Sequence, residues 1–483
     1  MDRYQNYING KWVSGQDQIV HSIINPAKNQ VMGQAVISSR QDAETAIAAA
    51  NRSFYHAGSW RNMQIGKRVV LLQNVIREIE EKKDHIACFE AKNQGKPLQQ
   101  ALSDVNAAIQ LFRDAVIDAA APAKKKPAGR NIFFNQVYTA RISEPTGVCV
   151  GIASWGTPFL TAVQMIAPAL AAGNSIIFKP SSLTPVTAVM LFEIFHKCKL
   201  PKGCVNLILG PGETVGRHLA QSPNVDLIAF AGSTASGKSA AWSAIKNLKK
   251  TNMALSGNSP AIVFEDADLD CAIDCICSGA FYNQGANPWG LPRILIQKSI
   301  HLPFIHALIH RVSALSIGDP MDNPDIGAIV SQPHMEYLLN NFQDAEKQGA
   351  VCLLGGERYT FGECSKGFFI RPTIFDKCTF DMKLVSEESF GPVLTIQNFR
   401  TEKEAIKLAN DTDYGTSGAI FTKSENLSLR AAEAIRAGAI WINCYEPLQP
   451  ASVEGMKMSN HSISFASLNT DAYMAVKHIT KSR

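Results

Sequence analysis

Two groups of residues in this chain have the types and spacing to do chemistry by themselves. Gly232-Ser233-Thr234-Ala235-Ser236-Gly237-Lys238-Ser239 fits the pattern G-x-x-x-x-G-K-S. A loop of that kind, set between an apolar strand and a helix, turns backbone N–H groups toward phosphates and adds a lysine cation. Ala261-Ile262-Val263-Phe264-Glu265-Asp266 supplies an apolar run ending in acids that would suit a magnesium ion. Taken alone, these two segments describe a nucleoside-triphosphate hydrolase. The second group is Cys271, Cys275 and Cys277. The first two are one helical turn apart, but no histidine pair lies near them. Packed thiols therefore fit better than a metal centre, and no metal site is expected.

A different set of motifs runs through nearly the whole chain. Ile8-Asn9-Gly10, Gly95-Lys96-Pro97, Phe178-Lys179-Pro180-Ser181, Gly232-Ser233-Thr234, Ala267-Asp268-Leu269-Asp270, Arg371-Pro372-Thr373 and Glu387-Glu388-Ser389-Phe390-Gly391-Pro392 follow one another in sequence. Their order and spacing resemble the aldehyde dehydrogenase superfamily. The resemblance absorbs the Gly232–Ser239 match and leaves a P-loop NTPase as the remote alternative. Enzymes of the family capture an aldehyde on a thiolate, because hydride departs readily only from the tetrahedral adduct.

Phe281-Tyr282-Asn283-Gln284-Gly285-Ala286-Asn287-Pro288-Trp289 resembles the family's nucleophile loop, F-x-N-x-G-Q-x-C, with Pro288 at the cysteine position. Met253-Ala254-Leu255-Ser256-Gly257 is similar to L-E-L-G-G, with Ala254 in place of the general-base glutamate. Ser154-Trp155-Gly156-Thr157-Pro158 is similar to P-W-N-F-P, with Gly156 in place of the asparagine that donates to the oxyanion. Proline also lacks the backbone N–H that would be the second oxyanion donor. Losing one such donor costs roughly 100- to 1,000-fold in turnover. Losing a general base costs about 100- to 10,000-fold. These factors do not multiply cleanly, yet together they imply a catalytically inactive aldehyde dehydrogenase fold. The alternative is an NAD(P)-dependent oxidoreductase that oxidises a small aldehyde, such as a semialdehyde, by an atypical route.

The resemblance implies that the cofactor apparatus persists. Lys179 would hydrogen-bond the adenosine ribose, Gly232 and Ser233 would meet the pyrophosphate at a helix N-terminus, and Glu388 would hold the nicotinamide ribose beside Phe390. Ile152, Trp155, Gly212, Gly216 and Phe230 complete the implied dinucleotide site. Ser182 stands where NAD-preferring members commonly carry glutamate. A hydroxyl donates to a 2′-phosphate that a carboxylate would repel, so either NADP or NAD is expected to bind. Ser256 occupies a glycine position near the nicotinamide end. Length and motif register point to the succinate-semialdehyde dehydrogenase branch, whose basic substrate-holding positions are Gln164 and Tyr282 here. The tail Val453-Glu454-Gly455-Met456-Lys457-Met458-Ser459-Asn460-His461-Ser462 resembles F-G-G-x-K-x-S-G-x-G with several glycines replaced. Cys444 lies in a segment that borders the substrate tunnel in similar enzymes, but with no helix N-terminus or cationic neighbour in sequence an ordinary packed thiol is expected, and a displaced nucleophile is the alternative.

These residues need an open sheet to hold them. Between Thr146 and Val263, apolar runs of strand length alternate with helix-periodic segments, which predicts a parallel sheet covered on both faces. A second such series runs from Asp266 to about Ala439, and charged, helix-periodic sequence fills Ala43 to Glu90. The expected fold is α/β and aldehyde dehydrogenase-like, with two doubly wound domains and a small oligomerisation sheet. Residues 1–121 and 145–253 would form the dinucleotide-binding domain and 254–451 the catalytic-type domain. Residues 122–144 and 452–483 would be oligomerisation segments. Strand-like Asn131–Val137 and Ala472–Val476 would pair subunits into a homodimer or homotetramer.

Composition excludes several other classes. The chain has 483 residues, is 46% hydrophobic and carries a net charge of +5, so large cores are available and no strong polyanion-binding surface is implied. Its one dense basic run, Lys124-Lys125-Lys126, sits between Pro122 and Pro127, and no nucleic-acid partner is expected. Pro145 to Phe178 contains no charged residue or histidine, but glycines and prolines cut it into pieces too short to span a membrane. An odd number of cysteines, 11, and no leader sequence point to the cytoplasm.

Overall fold

The runs Val148–Ile152, Ser175–Lys179 and Leu227–Ala231 are apolar at almost every position, and each forms a parallel strand that is buried almost throughout. Strands of that composition need cover on both faces. Helices Pro158–Ala172 and Val186–Lys197 lie on one face with the long N-terminal helices. Helices Arg40–Tyr55 and Thr234–Ile245 contribute to the separate core on the other. This computed structural model describes residues 2–56, 60–121, 137–447, 455–461 and 470–482.

The first sheet has eight strands. From Val148–Ile152 the chain steps outward to Ser175–Lys179 and Val205–Leu207, then returns to lay Leu227–Ala231 and Lys250–Ala254 on the opposite side. That reversal leaves a crevice beyond the carboxyl ends of Val148–Ile152 and Leu227–Ala231, where open α/β sheets take their ligands. The charge-free run from 145 to 178 thus resolves into a strand, a helix and a second strand. Among the described residues, no helix is long and apolar enough to cross a membrane.

The second sheet has seven strands, centred on Pro260–Val263 and Arg293–Gln297, with only Val351–Leu354 running antiparallel. Its helix Leu269–Phe281 is N-capped by Asp268, whose side chain accepts from the Cys271 N–H. This helix delivers the chain to the 282–289 loop. Two long helices, Ile65–Gln94 and Leu98–Ala120, pack together beneath the crevice. The corner between them needs Gly95, whose φ is +102°, and it turns Lys96 fully inward.

The small ribbon pairs Val137–Pro145 antiparallel with Met474–Ser482. Val476 and Ile479 are each 50% exposed on it, one on each face of the ribbon. The expected strand at 131–136 lies outside the described residues. The tail strand starts at Met474, because Thr470–Tyr473 forms a short 3-10 turn first. Asn460–His461, in the expected oligomerisation segment, instead joins the first sheet beside Lys250–Ala254.

Candidate functional site

A cavity of about 840 Å³ opens between the two sheets. The loops after Ile152 and Ala231 line one side, the 282–289 loop another, and the Glu387–Phe390 segment a third. The three positions at which the motifs' nucleophile, base and oxyanion donor would stand, Gly156, Ala254 and Pro288, face this one space.

The 282–289 loop is held in a strained shape. Asn283, Gln284 and Gly285 have φ of 54°, 53° and 75° in succession. The Asn283 amide donates to Gly156 O at 2.9 Å and to Ala286 O at 2.8 Å, and its backbone N–H donates to Gln100 Oε1. Three left-handed residues in a row store energy that such a network must offset. Gly156 O also accepts from the Lys96 ammonium at 3.0 Å, and that ammonium is paired with Asp104 at 2.5 Å, both side chains fully buried. These bonds fix the shape of the loop around Gly156.

No cysteine lines the cavity among the described residues. Ala254 ends its strand as a methyl group, with its carbonyl accepting from Gly232 N–H. A Cβ built on Gly156 would lie 2.9 Å from Cζ of Phe390, so that ring fills the space a side chain at 156 would need. Asp104 and Tyr282 lie on the cavity wall. Burial first, then Asp104, drives the Tyr282 phenol far above its usual range, so it stays protonated. Gln164 lines the same region.

The dinucleotide positions fall into two neighbouring groups. Trp155, Gly232, Ser233, Glu388 and Phe390 line the cavity itself. Ile152, Lys179, Ser182, Gly212, Gly216 and Phe230 lie outside its lining, but a Cβ on Gly216 would touch Lys179 and Ile152, and one on Gly232 would touch Phe230. The Lys179 ammonium donates to Pro180 O at 2.7 Å and Gly210 O at 3.0 Å. Burial without a compensating carboxylate pulls it down to about 8. Glu388 accepts from Gly257 N–H at 2.8 Å. Burial raises its carboxyl to about 7, against hydrogen bonds from Gly257 and Ser256. The side chain is only part-buried because it faces the cavity, and water entering there opposes the rise.

A cofactor-sized ligand fits this donor and acceptor set, with one point of tension. Ser256 Oγ accepts from Thr234 N–H at 3.2 Å, taking a first-turn donor of the helix Thr234–Ile245. Trp155, His334 and Phe390 form an aromatic wall with ring centroids 4.9 to 5.0 Å apart. His334 Nε2 meets Phe390 O at 2.9 Å, and burial lowers its imidazole, so the neutral ring donates. Neither His334 nor Asp104 was visible as a site residue in sequence, because each reaches the cavity from a distant helix with no local motif.

The remote phosphate-loop alternative finds no support in the local geometry. The helix begins at Thr234 with Ser233 as its N-cap, so Gly237 and Lys238 lie inside the helix rather than in a loop wrapped around a phosphate. A Cβ on Gly237 would lie 2.2 Å from a Leu255 methyl, so this glycine serves close packing. The strand Pro260–Val263 belongs to the other sheet, and Asp266 is engaged by the Thr422 hydroxyl and the Lys423 and Ser424 N–H groups. Cys444 is exposed and lies outside the cavity lining, so it offers no displaced nucleophile there. Cys277 is buried, as expected of a packed thiol, whereas Cys271 and Cys275 are part-exposed. Among the described residues, no group of His, Cys, Asp or Glu is arranged to hold a metal.

Comparison with known proteins gives one family throughout. A family profile described as aldehyde dehydrogenase family matches residues 12–479. Betaine aldehyde dehydrogenase of Bacillus subtilis is 36% identical over 482 residues, covering 98% of this chain and 96% of that protein. Peroxisomal aminoaldehyde dehydrogenase 1 of Pisum sativum is 34% identical, covering 99% and 95%. The crystal structure of Staphylococcus aureus betaine aldehyde dehydrogenase in complex with NAD+ superposes with a TM-score of 0.94 at 33% identity, covering 99% of this chain and 94% of that one. These names are of betaine and aminoaldehyde dehydrogenases, not of the succinate-semialdehyde branch that the sequence pointed to.

Proposed function

Because this chain belongs to the aldehyde dehydrogenase family, we propose that it is a member that binds NAD or NADP but has lost acyl transfer, and that it serves a binding, regulatory or assembly role. The observation that carries this reading is the cavity itself. It has Pro288, Ala254 and Gly156 on its walls and no thiol among its described lining residues. An aldehyde entering it would meet no thiol among the described lining residues, no carboxylate at Ala254 and no N–H at Pro288.

Lys179, Ser182, Gly232, Ser233, Glu388 and Phe390 would hold the dinucleotide, with Ile152, Trp155, Gly212, Gly216 and Phe230 shaping its bed. When bound, it would supply a hydride acceptor; this chain's residues would only bind and orient it. The NAD+ in the staphylococcal relative supports this assignment. We take residues 1–121 and 145–253 as the dinucleotide-binding domain and 254–451 as the second. The ribbon and its neighbours would join subunits into a homodimer or homotetramer. Eleven free cysteines favour a reducing cytoplasm.

The test is calorimetric titration with NAD and with NADP, followed by assays of reduced cofactor formation across a panel of aldehydes that includes betaine aldehyde and aminoaldehydes. Binding without turnover is expected. Turnover well above the buffer rate would overturn the loss of chemistry, and failure to bind either dinucleotide would overturn the site assignment.

A further inference from the structure

Three cysteines that sequence spacing left unconnected converge at one point on the second domain, away from the cavity lining. Cys271 lies in the first turn of the helix Leu269–Phe281, and Cys275 lies one turn later on the same face. Cys271 Sγ lies 3.5 Å from the carbonyl oxygen of Asn443, the group bonded directly to the nitrogen of Cys444. Asn443 is pinned there by its left-handed φ of 52° and by side-chain bonds to Thr422 N–H and Thr422 O. The sulfur of Cys271 is therefore about one peptide unit from the Cys444 backbone.

We propose that Cys444 and Cys271 form a peroxide-responsive disulfide that fastens the 443–447 loop to the helix Leu269–Phe281. Cys444 is exposed and meets the oxidant first, whereas Cys271 is part-buried behind it. The Cys444 thiolate attacks one oxygen of a hydroperoxide; the O–O bond breaks, the sulfur becomes a sulfenic acid, and water or an alcohol leaves. The Cys271 thiolate then attacks that sulfur, the S–S bond forms, and the hydroxyl leaves as water. Two thiols are oxidised by two electrons, and one peroxide is reduced. Burial, then the Cys271 sulfur, holds the Cys275 thiol up at about 12. Cys271, whose sulfur meets the Asn443 carbonyl, is the resolving partner.

The cross-link reaches the cavity through the loop it fastens. Tyr445 OH donates to Trp289 O at 3.2 Å, the Asn287 amide donates to Pro447 O at 3.1 Å, and Pro447 lines the cavity rim. Oxidation at 444 therefore stiffens the segment that abuts the Pro288 loop.

The test treats the full chain with hydrogen peroxide, blocks remaining thiols in denaturant, and maps peptides by mass spectrometry. The expected product has lost about 2 Da, joins the Cys271 and Cys444 peptides, and reverts on reduction. Cys275→Ser should leave the link forming. Cys271→Ser should abolish it and leave Cys444 as a sulfenic acid captured by a dimedone probe. Over-oxidation of Cys444 without a link, a link to any other cysteine, or no reaction at Cys444 would overturn the proposal. Cys444 is exposed, so Cys444→Ser provides a folded control that should show no linked peptide.

Discussion

The two ends of the crevice are lined by different chemistry. Toward the proposed dinucleotide site, Lys179 and Glu388 are ionisable groups held by backbone carbonyls and an N–H group. At the chemical end, the three reactive positions carry a pyrrolidine ring, a methyl group and a hydrogen. Yet beneath that same end the Lys96–Asp104 pair and the Asn283 amide still grip Gly156 O. The 282–289 loop thus carries a dense hydrogen-bond frame around Gly156 although Pro288, Ala254 and Gly156 bring no thiol, carboxylate or amide to the cavity. Frame and chemistry are separable because they use different atoms, and function belongs to the latter.

The largest effect should come from putting the chemistry back. Pro288→Cys combined with Ala254→Glu and Gly156→Asn should raise aldehyde oxidation by about 1,000-fold or more, given what a single base or donor contributes. The readout is reduced dinucleotide formed per subunit. The 156 substitution succeeds only if the Phe390 ring swings aside, because a Cβ there meets it at 2.9 Å. A triple variant that binds dinucleotide but stays inert would mean that the frame, too, has been lost.

The frame can also be broken directly. Lys96→Met leaves Asp104 buried and unpaired, which should cost about 3–5 kcal/mol in denaturant unfolding. A cost below about 1 kcal/mol, the range of an exposed pair, would mean that the buried pair no longer supports the loop.

The dinucleotide end should show its own signature in pH. Ribose hydroxyls donate to the ionised form of Glu388, so affinity should rise as pH climbs through about 7. It should fall again above about 8, where Lys179 loses its charge. Calorimetry across this range should give a narrow maximum. Glu388→Gln should flatten the acid limb, and Lys179→Met the alkaline one.

How much of this could be read from the chain depends on the reach of each signal. The parallel strands and the crevice at their ends were legible because five-residue apolar runs such as Ser175–Lys179 have few other ways to be buried. That Gly156, Ala254 and Pro288 belong to one place was legible because each sits in a short motif. The match at Gly232–Ser239 misled, since letters cannot say that the helix already begins at Thr234. Asp104 and His334 were hidden because their meeting with the loop is a matter of tertiary packing. The Cys271–Cys444 approach was hidden for the same reason, with 172 residues between Cys271 and the Asn443 carbonyl it contacts.

The smallest predicted effect sharpens the boundary between the two ends. Ser256→Gly frees the Thr234 N–H that its hydroxyl now occupies, and dinucleotide should bind a few-fold tighter, in line with about 1 kcal/mol for one hydrogen bond. Unchanged or weaker binding would place Ser256 outside the cofactor's path.

The most direct measurement is the intact mass of the unaltered protein after incubation with aldehyde and oxidised dinucleotide, quenched in acid. The account predicts a single species at the mass of the polypeptide. A thioester or any other acyl adduct, mapped to a residue of the cavity, would contradict it.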